Sequence, residues 1–258
     1  MRVETPQGAI MVDVYGQSDQ VLLLLHGLGS ARTTFAGIVP FMPKWQLIMP
    51  DLLGFGESAK PPAFSYSLLD YAKNLVELME QMDLSRVSVV GHSMGGDIAL
   101  ALAVVAPERI DRLIIAEANL LPSRGLKRSS ISARADGLPE PEYIQHFHEI
   151  FQDLFGQDTA SQSLRHYVQT LRQASPMAMY RASQALLDLK EFDVEKTFIQ
   201  QAIGTLIGER SRGSRQVQQA LSSPVPIRVI AGAGHDMFVE NPKGCALAIQ
   251  SLMAIARR

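Results

Sequence analysis

The motif Gly91-His-Ser-Met-Gly places a serine between two glycines, where an apolar run gives way to an Ala-rich stretch. The run Val87–Val90 predicts a buried strand, and Gly95–Val105 predicts the helix that follows it. In this strand–turn–helix context the motif predicts a nucleophile elbow. The glycines remove side chains that would collide, and the hydroxyl of Ser93 is exposed at the turn. Ser93 is therefore the candidate nucleophile.

A serine hydroxyl is a poor nucleophile near neutral pH and needs a base. Among the six histidines, His235 is the candidate, because it stands in Gly232-Ala-Gly-His-Asp-Met directly after the last predicted strand. The two glycines let this loop approach the serine closely. His26 and His92 lie inside turn motifs that direct them beside the turn rather than at the hydroxyl.

Metal chemistry has little support in the sequence. His146 and His148 form a His-x-His pair on a predicted amphipathic helix, but no third ligand is evident beside them. The single cysteine, Cys245, excludes a multi-cysteine zinc site and an intrachain disulfide. We therefore expect neither a metal nor a cofactor.

A second glycine-rich turn, His26-Gly-Leu-Gly, follows the apolar run Val21–Leu25. Both turns would lie at the carboxyl edge of one sheet. The glycines let the backbone N–H of Leu28 turn toward the site, and the N–H of Met94 follows the candidate nucleophile. These two amides are the candidate oxyanion hole.

The chain alternates short apolar runs with helix-like stretches, which is typical of an α/β protein whose sheet is covered on both faces. Val3–Thr5 and Ile10–Tyr15 predict an N-terminal hairpin, and Leu68–Met82 carries apolar residues at helical spacing. From about residue 122 to residue 196 no strand is predicted. Within that stretch Glu140–Phe155 lines aromatic residues along one helical face.

Four motifs, in this order, resemble those of the α/β-hydrolase superfamily over nearly the whole chain. They are His26-Gly-Leu-Gly, Asp51-Leu-Leu-Gly-Phe-Gly-Glu-Ser, Gly91-His-Ser-Met-Gly-Gly and Gly234-His. The resemblance implies a mostly parallel eight-stranded sheet, an all-helical cap after the sixth strand, and hydrolysis through an acyl-enzyme. We accordingly predict a core of residues 1–121 and 197–258, with the cap at residues 122–196.

The acid of the triad is where the sequence departs from the superfamily's common pattern. Most members carry an aspartate a few residues past the seventh strand, and here that position falls near Ser211. Glu117, directly after the predicted strand Leu113–Ala116, is similar in this one respect to haloalkane dehalogenases, which place an acid after the sixth strand. A carboxylate at the end of an apolar strand is costly to bury unless it is hydrogen-bonded, which His235 would supply. We choose Glu117 as the acid, and Glu209 remains the alternative.

The 258 residues are 47% hydrophobic and 19% charged, which allows a sizeable core. Lys plus Arg number 24 and Asp plus Glu 26, so the net charge of −2 gives no sign of a nucleic-acid or anionic-membrane partner. No signal segment or run of ~20 apolar residues is evident. We expect a cytoplasmic monomer or homodimer that acts on a small-molecule ester.

The function expected is that of a serine hydrolase cleaving small to medium carboxylic esters on a Ser-His-Glu triad. The same triad could instead cleave a carbon–carbon bond in a vinylogous diketone, with Arg172 or Arg181 binding an acidic substrate. Cofactor-free haloperoxidase or perhydrolase chemistry would use the same residues. A ligand-binding receptor that retains a slow triad is the non-enzyme alternative.

Overall fold

A computed structural model describes residues 1–118, 120, 131–155, 161–211, 218 and 221–255. Its strands, in chain order, are β1 (Arg2–Thr5), β2 (Gly8–Tyr15), β3 (Val21–Leu25), β4 (Gln46–Pro50), β5 (Val87–His92), β6 (Ile110–Ala116), β7 (Ala202–Gly208) and β8 (Ile227–Ile230). They form one eight-stranded sheet in the order β1-β2-β4-β3-β5-β6-β7-β8.

Most of the sheet is parallel. β1 and β2 form the predicted hairpin, β2 pairs antiparallel with β4, and the remaining neighbours run parallel. The prediction of a mostly parallel eight-stranded sheet is confirmed. The register aligns the carboxyl ends of the central strands: Leu25 pairs with Gly91, His92 with Ala116, and Ala116 with Leu206. The loops that follow β3, β5, β6 and β7 therefore meet at one edge.

The helices that the structure describes are α1 (Leu68–Gln81), α2 (Met94–Val105), α3 (Glu140–Gln145), α4 (Phe147–Ile150), α5 (Gln152–Phe155), α6 (Gln162–Leu171), α7 (Pro176–Asp188), α8 (Val194–Gln201), α9 (Met237–Glu240) and α10 (Pro242–Met253). Short 3₁₀ helices occupy Arg32–Phe41, Pro107–Arg109, Ser132–Ala135 and Glu209–Ser211. No helix in the described part of the chain is both long and apolar enough to cross a bilayer.

The core has two layers, one on each face of the sheet. Along β3, Leu23 and Leu25 face one layer, which contains the buried side of α1 and α2, while Leu22 and Leu24 face the other. The second layer packs the 3₁₀ helix Arg32–Phe41 and the two C-terminal helices against the sheet. Strands buried on both faces are why the apolar runs are continuous rather than alternating.

The segment between β6 and β7, which we call the insertion, contains α3 to α8 among its described residues. The aromatic face predicted over Glu140–Phe155 is present, but the single helix is not, because the backbone breaks at His146 and Phe151. Across these breaks the rings of Phe147 and Phe151 remain 4.9 Å apart, and Tyr143 lies 5.9 Å from Phe147. These aromatic residues form the insertion's own core.

The predicted limits of the cap remain a prediction. The first limit, between residues 121 and 122, lies outside the described residues. The second, between residues 196 and 197, lies within α8, which packs against α2 and buries Val194 and Phe198 in the main core. The insertion and the sheet thus share one apolar cluster.

Candidate active site

The turn between β5 and α2 consists of Ser93 alone, because β5 ends at His92 and α2 begins at Met94. Ser93 has φ 52° and ψ −125°, a conformation that non-glycine residues rarely adopt. Its N–H donates to the Ala116 carbonyl at 2.8 Å, and its carbonyl accepts from the Gly96 N–H at 2.7 Å. These bonds hold the strained turn that the sequence motif predicts.

The two flanking glycines are required by close backbone packing. A Cβ atom built on Gly91 would overlap the Gly95 carbonyl oxygen, and one built on Gly95 would overlap the Leu25 carbonyl oxygen. Both obstacles are backbone atoms, which cannot rotate away as a side chain can. The elbow therefore fits only a glycine at each of these positions.

His235 lies in the loop between β8 and α9, and His92 holds it beside the elbow. The His92 Nε2–H donates to the His235 carbonyl at 2.8 Å, and the two rings lie 4.8 Å apart. Burial, with the nearby charge of His235, lowers the pKa of His92 to about 3. His92 is therefore a neutral donor that supports the loop, in agreement with its predicted place beside the turn.

Glu117 follows β6 and reaches His235 directly. Its Oε2 accepts from the His235 Nδ1–H at 2.7 Å, and its Oε1 accepts from the Gly208 N–H at 2.7 Å. The Glu117 side chain is only 4% exposed. Its φ of 48° is a second strained conformation at this edge of the sheet. The structure thus brings the chosen acid and the chosen base into contact.

The pKa values of this pair move in opposite directions. Burial raises the pKa of Glu117, but hydrogen bonds from His235, the Gly208 N–H and the Ser211 side chain outweigh it, so the pKa lies below its ordinary value. Loss of surrounding water lowers the pKa of His235, but the Glu117 hydrogen bond and negative charge outweigh this effect, so the pKa lies above 6.5. Each group favours the charged form of the other.

Glu209, the alternative acid, has a different contact. Its Oε2 accepts from the Gly232 N–H at 2.8 Å, which ties the 3₁₀ helix after β7 to the loop that carries His235. The neighbouring Arg210 donates to Glu240 at 2.6 Å, and Glu240 accepts from the Gly234 N–H at 2.5 Å. Among the described residues, these side chains support the loop's backbone rather than the imidazole.

The turn His26-Gly-Leu-Gly lies directly beside Ser93. A Cβ atom built on Gly27 would be 3.1 Å from the Ser93 Cβ and 3.5 Å from its Oγ. The neutral His26 ring supports the turn, because its Nδ1–H donates to the Gly27 carbonyl at 2.9 Å while its Nε2 accepts from the Leu52 N–H at 3.0 Å. Among the described residues, the N–H of Leu28 and that of Met94 donate no hydrogen bond. Both amides remain available for an oxyanion.

Asp51 stabilises the loop that follows β4, next to the site. The buried carboxylate of Asp51 accepts from the Arg32 N–H at 2.7 Å and from the Glu57 N–H at 2.9 Å, and it pairs with the Arg32 guanidinium. The Asp51 carbonyl accepts from the Ser58 hydroxyl at 2.6 Å. This network fixes the loop after β4, so Asp51 is structural.

The insertion reaches both site loops through α6. The Tyr167 hydroxyl donates to the Leu28 carbonyl at 3.1 Å, and the Ser163 hydroxyl donates to Glu240 at 3.1 Å. Sequence reasoning missed Tyr167 and Glu240. Tyr167 stands 139 residues from its partner and belongs to no motif, so the sequence carries no signal for it.

The hydrogen bond expected between the candidate nucleophile and the candidate base is not formed among the described residues. Among the described residues, no hydrogen bond joins Ser93 Oγ to His235 Nε2. The ring is nevertheless turned with Nδ1 toward Glu117, which leaves Nε2 as the nitrogen that can face the hydroxyl. Catalytic hydrogen bonds of this kind are often long without substrate and tighten in the Michaelis complex.

The remaining histidines have ordinary contacts. His146 Nδ1 lies 2.8 Å from Glu149 Oε2, the ring of His148 lies 5.4 Å from that of Phe155, and His166 Nε2 lies 3.2 Å from Thr34 Oγ1. Within the described ranges, no three His, Cys, Asp or Glu side chains are grouped as metal ligands would be.

The chain is similar in sequence to a known family and to characterised enzymes. A family model described as alpha/beta hydrolase fold matches residues 20–242. Lipase 3 of Moraxella sp. (strain TA144) is 37% identical over 131 residues, which are 49% of this chain and 42% of the lipase. The 2-hydroxymuconate semialdehyde hydrolase of Pseudomonas sp. (strain CF600) is 36% identical over 98 residues, 36% of this chain and 35% of that enzyme. The chain spans less than half the length of these curated relatives.

The fold is also that of a solved esterase structure, which matches nearly all of the chain. A thermophilic esterase from Thermogutta terrifontis matches with a TM-score of 0.78 and 21% identity, covering 98% of this chain and 97% of the esterase. At this identity the similarity concerns the arrangement of the sheet and helices.

The close packing of the elbow yields a stability prediction. Gly95→Ala should lower the free energy of unfolding by about 3 kcal/mol or more, because the new methyl group overlaps fixed backbone atoms. Urea unfolding followed by circular dichroism measures this loss. Gly137→Ala is the control, because Gly137 has φ 76° but no atom near its built Cβ, so it isolates backbone strain at about 1–2 kcal/mol. Equal losses in the two variants would contradict the overlap.

Proposed function

The chain belongs to the α/β-hydrolase family, and we propose that it is a serine hydrolase cleaving small to medium carboxylic esters. One observation carries the proposal: the buried Glu117 carboxylate lies 2.7 Å from His235 Nδ1, beside an elbow at which Ser93 is partly exposed. A nucleophile, a base and an acid that orients the base are the parts that acyl transfer requires.

In the first half of the proposed reaction, Ser93 Oγ attacks the carbonyl carbon of the ester while His235 Nε2 accepts its proton. The carbonyl oxygen becomes an oxyanion, which the free N–H groups of Leu28 and Met94 stabilise. When the intermediate collapses, the bond to the alcohol oxygen breaks, and this oxygen takes the proton from His235. The product alcohol leaves, and Ser93 carries the acyl group.

The second half repeats these steps with water. His235 Nε2 removes a proton from water, whose oxygen attacks the acyl carbon. The second tetrahedral intermediate collapses, Ser93 Oγ leaves and recovers its proton from His235, and the carboxylic acid is released. The enzyme returns to its initial protonation state.

Glu117 acts on the reaction through His235. By accepting from Nδ1–H, it fixes the tautomer that leaves Nε2 free to receive a proton. Its negative charge stabilises the imidazolium that forms in both halves of the reaction, as the raised pKa of His235 indicates.

The contacts of two arginines favour an ester over an acidic diketone. Arg181 donates to Glu140 at 2.9 Å and to the Pro62 carbonyl at 2.8 Å, and Arg172 donates to the Phe155 carbonyl at 3.2 Å. The two cations that carbon–carbon cleavage would use to bind an acidic substrate are therefore engaged within the protein. This argument supports the ester proposal over the carbon–carbon hydrolase alternative.

The decisive experiment measures turnover of p-nitrophenyl esters in a series from acetate to laurate. We expect sustained turnover with an optimum among the shorter chains. A single stoichiometric release of nitrophenol would favour the ligand-binding receptor. Oxidation of a halide by hydrogen peroxide with acetate, faster than ester turnover, would favour perhydrolase chemistry.

Replacement of the nucleophile gives the first functional prediction. Ser93→Ala should lower kcat/KM for p-nitrophenyl butyrate by about four powers of ten or more, since triad residues act as a unit. Alanine keeps the Cβ, so the thermal midpoint should not change. Retention of more than about one per cent of activity in a folded variant would exclude Ser93 as the nucleophile.

The base gives a pH prediction. Because only neutral His235 can accept the proton, kcat/KM should rise with pH as the imidazolium is lost. Its pKa lies above the ordinary 6.5, so the inflection should lie above pH 6.5. Rates measured from about pH 5 to 9 at constant ionic strength test this profile. A flat profile over this range would contradict the assignment of His235.

Removal of the acid's charge gives a third prediction. Glu117→Gln should lower kcat by about 10²–10⁴-fold, because the amide neither stabilises the imidazolium nor fixes the tautomer. KM should change much less, since Glu117 lies behind the imidazole. The inflection of kcat/KM should also move to lower pH, because the charge that raises the pKa of His235 is gone.

Glu209→Gln is the matched control for the acid. A glutamine still accepts from the Gly232 N–H, so activity should stay within about threefold of the wild type. If Glu209→Gln were the more damaging substitution, the acid would belong to the segment after β7.

A further inference from the structure

The contact between the insertion and the oxyanion loop (residues 26–30) is the feature that the proposed mechanism does not explain. Tyr167 lies on α6 of the insertion, and its hydroxyl donates to the Leu28 carbonyl at 3.1 Å. Leu28 supplies one of the two amides assigned to the oxyanion. A side chain of the insertion thus holds the residue whose N–H must point at the reacting carbonyl.

The carbonyl of the preceding residue, Gly27, is hydrogen-bonded within the loop itself. The Gly27 carbonyl accepts from the His26 ring and from the Ser30 N–H at 3.1 Å. These bonds fix the start of the turn. In the described structure, the Leu28 carbonyl receives its hydrogen bond from the insertion, so the orientation of the peptide between Leu28 and Gly29 depends on Tyr167.

Gly29 makes this approach possible. Its φ of 72° suits glycine, and a Cβ built on it would lie 2.6 Å from the Tyr167 hydroxyl and 3.0 Å from Leu171 Cδ1. The loop and α6 are therefore in close contact at this point. The second glycine of the His-Gly-Leu-Gly motif leaves the space that the tyrosine occupies.

The residue beside Tyr167 strengthens the same attachment. His166 Nε2 lies 3.2 Å from Thr34 Oγ1, which in turn lies 2.5 Å from Ser30 Oγ at the end of the loop. Two consecutive residues of α6 thus reach the oxyanion loop and the helix that follows it. Burial strongly raises the pKa of Tyr167, so its hydroxyl remains a protonated donor.

We propose that Tyr167 is a positioning residue: by holding the Leu28–Gly29 peptide, it keeps the loop that carries the neighbouring Leu28 N–H in the conformation that serves the oxyanion. The inference rests on the proposed esterase function. Tyr167 acts on Leu28 and not on the substrate. Its loss should therefore weaken binding of the transition state more than binding of the ester.

Tyr167→Phe tests this role, because it removes only the hydroxyl and keeps the ring that packs against the loop. We expect kcat for p-nitrophenyl butyrate to fall about tenfold, less than the 10²–10³-fold that loss of a whole oxyanion donor costs. KM should stay within about twofold of the wild type. Steady-state kinetics at a pH above the His235 inflection gives both values.

An aryl trifluoromethyl ketone supplies a second readout. It forms a tetrahedral adduct with a reactive serine, and the adduct's oxygen anion requires the oxyanion hole. In Tyr167→Phe its inhibition constant should rise by the same factor as kcat/KM falls, whereas the inhibition constant of the product butyrate should not change. A variant that was merely misfolded would bind both inhibitors less well, so its two inhibition constants would rise together.

Tyr180→Phe is the matched control. The Tyr180 hydroxyl also belongs to the insertion and also donates to a backbone carbonyl, that of Leu138 at 2.8 Å, but it does not bond the oxyanion loop. This variant should keep wild-type kcat and the wild-type inhibition constant for the ketone. Thermal melts of both variants show whether their folds are equally stable.

The outcomes separate the inference from the function on which it rests. Wild-type kcat and ketone affinity in Tyr167→Phe, or equal losses in the two tyrosine variants, would overturn the positioning role while leaving the esterase intact. A higher KM with unchanged kcat would also overturn it, since Tyr167 would then be a substrate contact. Absence of ester turnover in the wild type would instead remove the proposed function itself.

Discussion

The hydrogen-bonded pair of Glu117 and His235 is the constraint on which the rest of the site depends. A carboxylate that is 4% exposed is tolerated only when its oxygens are hydrogen-bonded. Glu117 meets this demand with donors from two other segments, the Gly208 N–H and the His235 ring. The ends of β6 and β7 and the loop after β8 must therefore converge, which brings His235, the proposed base, beside the elbow.

This convergence brings two strained residues to one edge of the sheet. Ser93 and Glu117 both have positive φ, and each follows directly on a central strand. Such conformations cost about 1–3 kcal/mol each and persist only where surrounding contacts impose them. Here the Ser93 N–H donates to the Ala116 carbonyl, so the backbone of the proposed nucleophile is tied to the residue before Glu117, the proposed acid.

The sequence predicts local features of this site and misses features that depend on distant packing. Ser93 and the sheet follow from patterns within a few residues, since a glycine-flanked turn and a continuous apolar run each have a local physical cause. Glu117 could be chosen because it ends a strand next to the nucleophile's strand. Tyr167 could not, because its contact arises from the docking of α6, which no short-range pattern encodes. The aromatic face of 140–155 follows from helical spacing, but the breaks at His146 and Phe151 carry no glycine or proline signal in the sequence.

The register of the sheet also accounts for the unusual place of Glu117, the proposed acid. Ala116, the last residue of β6, pairs with Leu206 on β7, and β7 ends two residues later at Gly208, so residues that follow either strand lie at the same edge of the sheet. Ser211 occupies the position after β7 that usually holds an aspartate. Its side chain donates a hydrogen bond to Glu117 and so lowers the pKa of that carboxylate. Glu209, in the same segment, is free to bind the histidine loop through the Gly232 N–H. With the proposed acid after β6, the segment after β7 supports both members of the pair: Ser211 bonds Glu117, and Glu209 bonds the loop that carries His235.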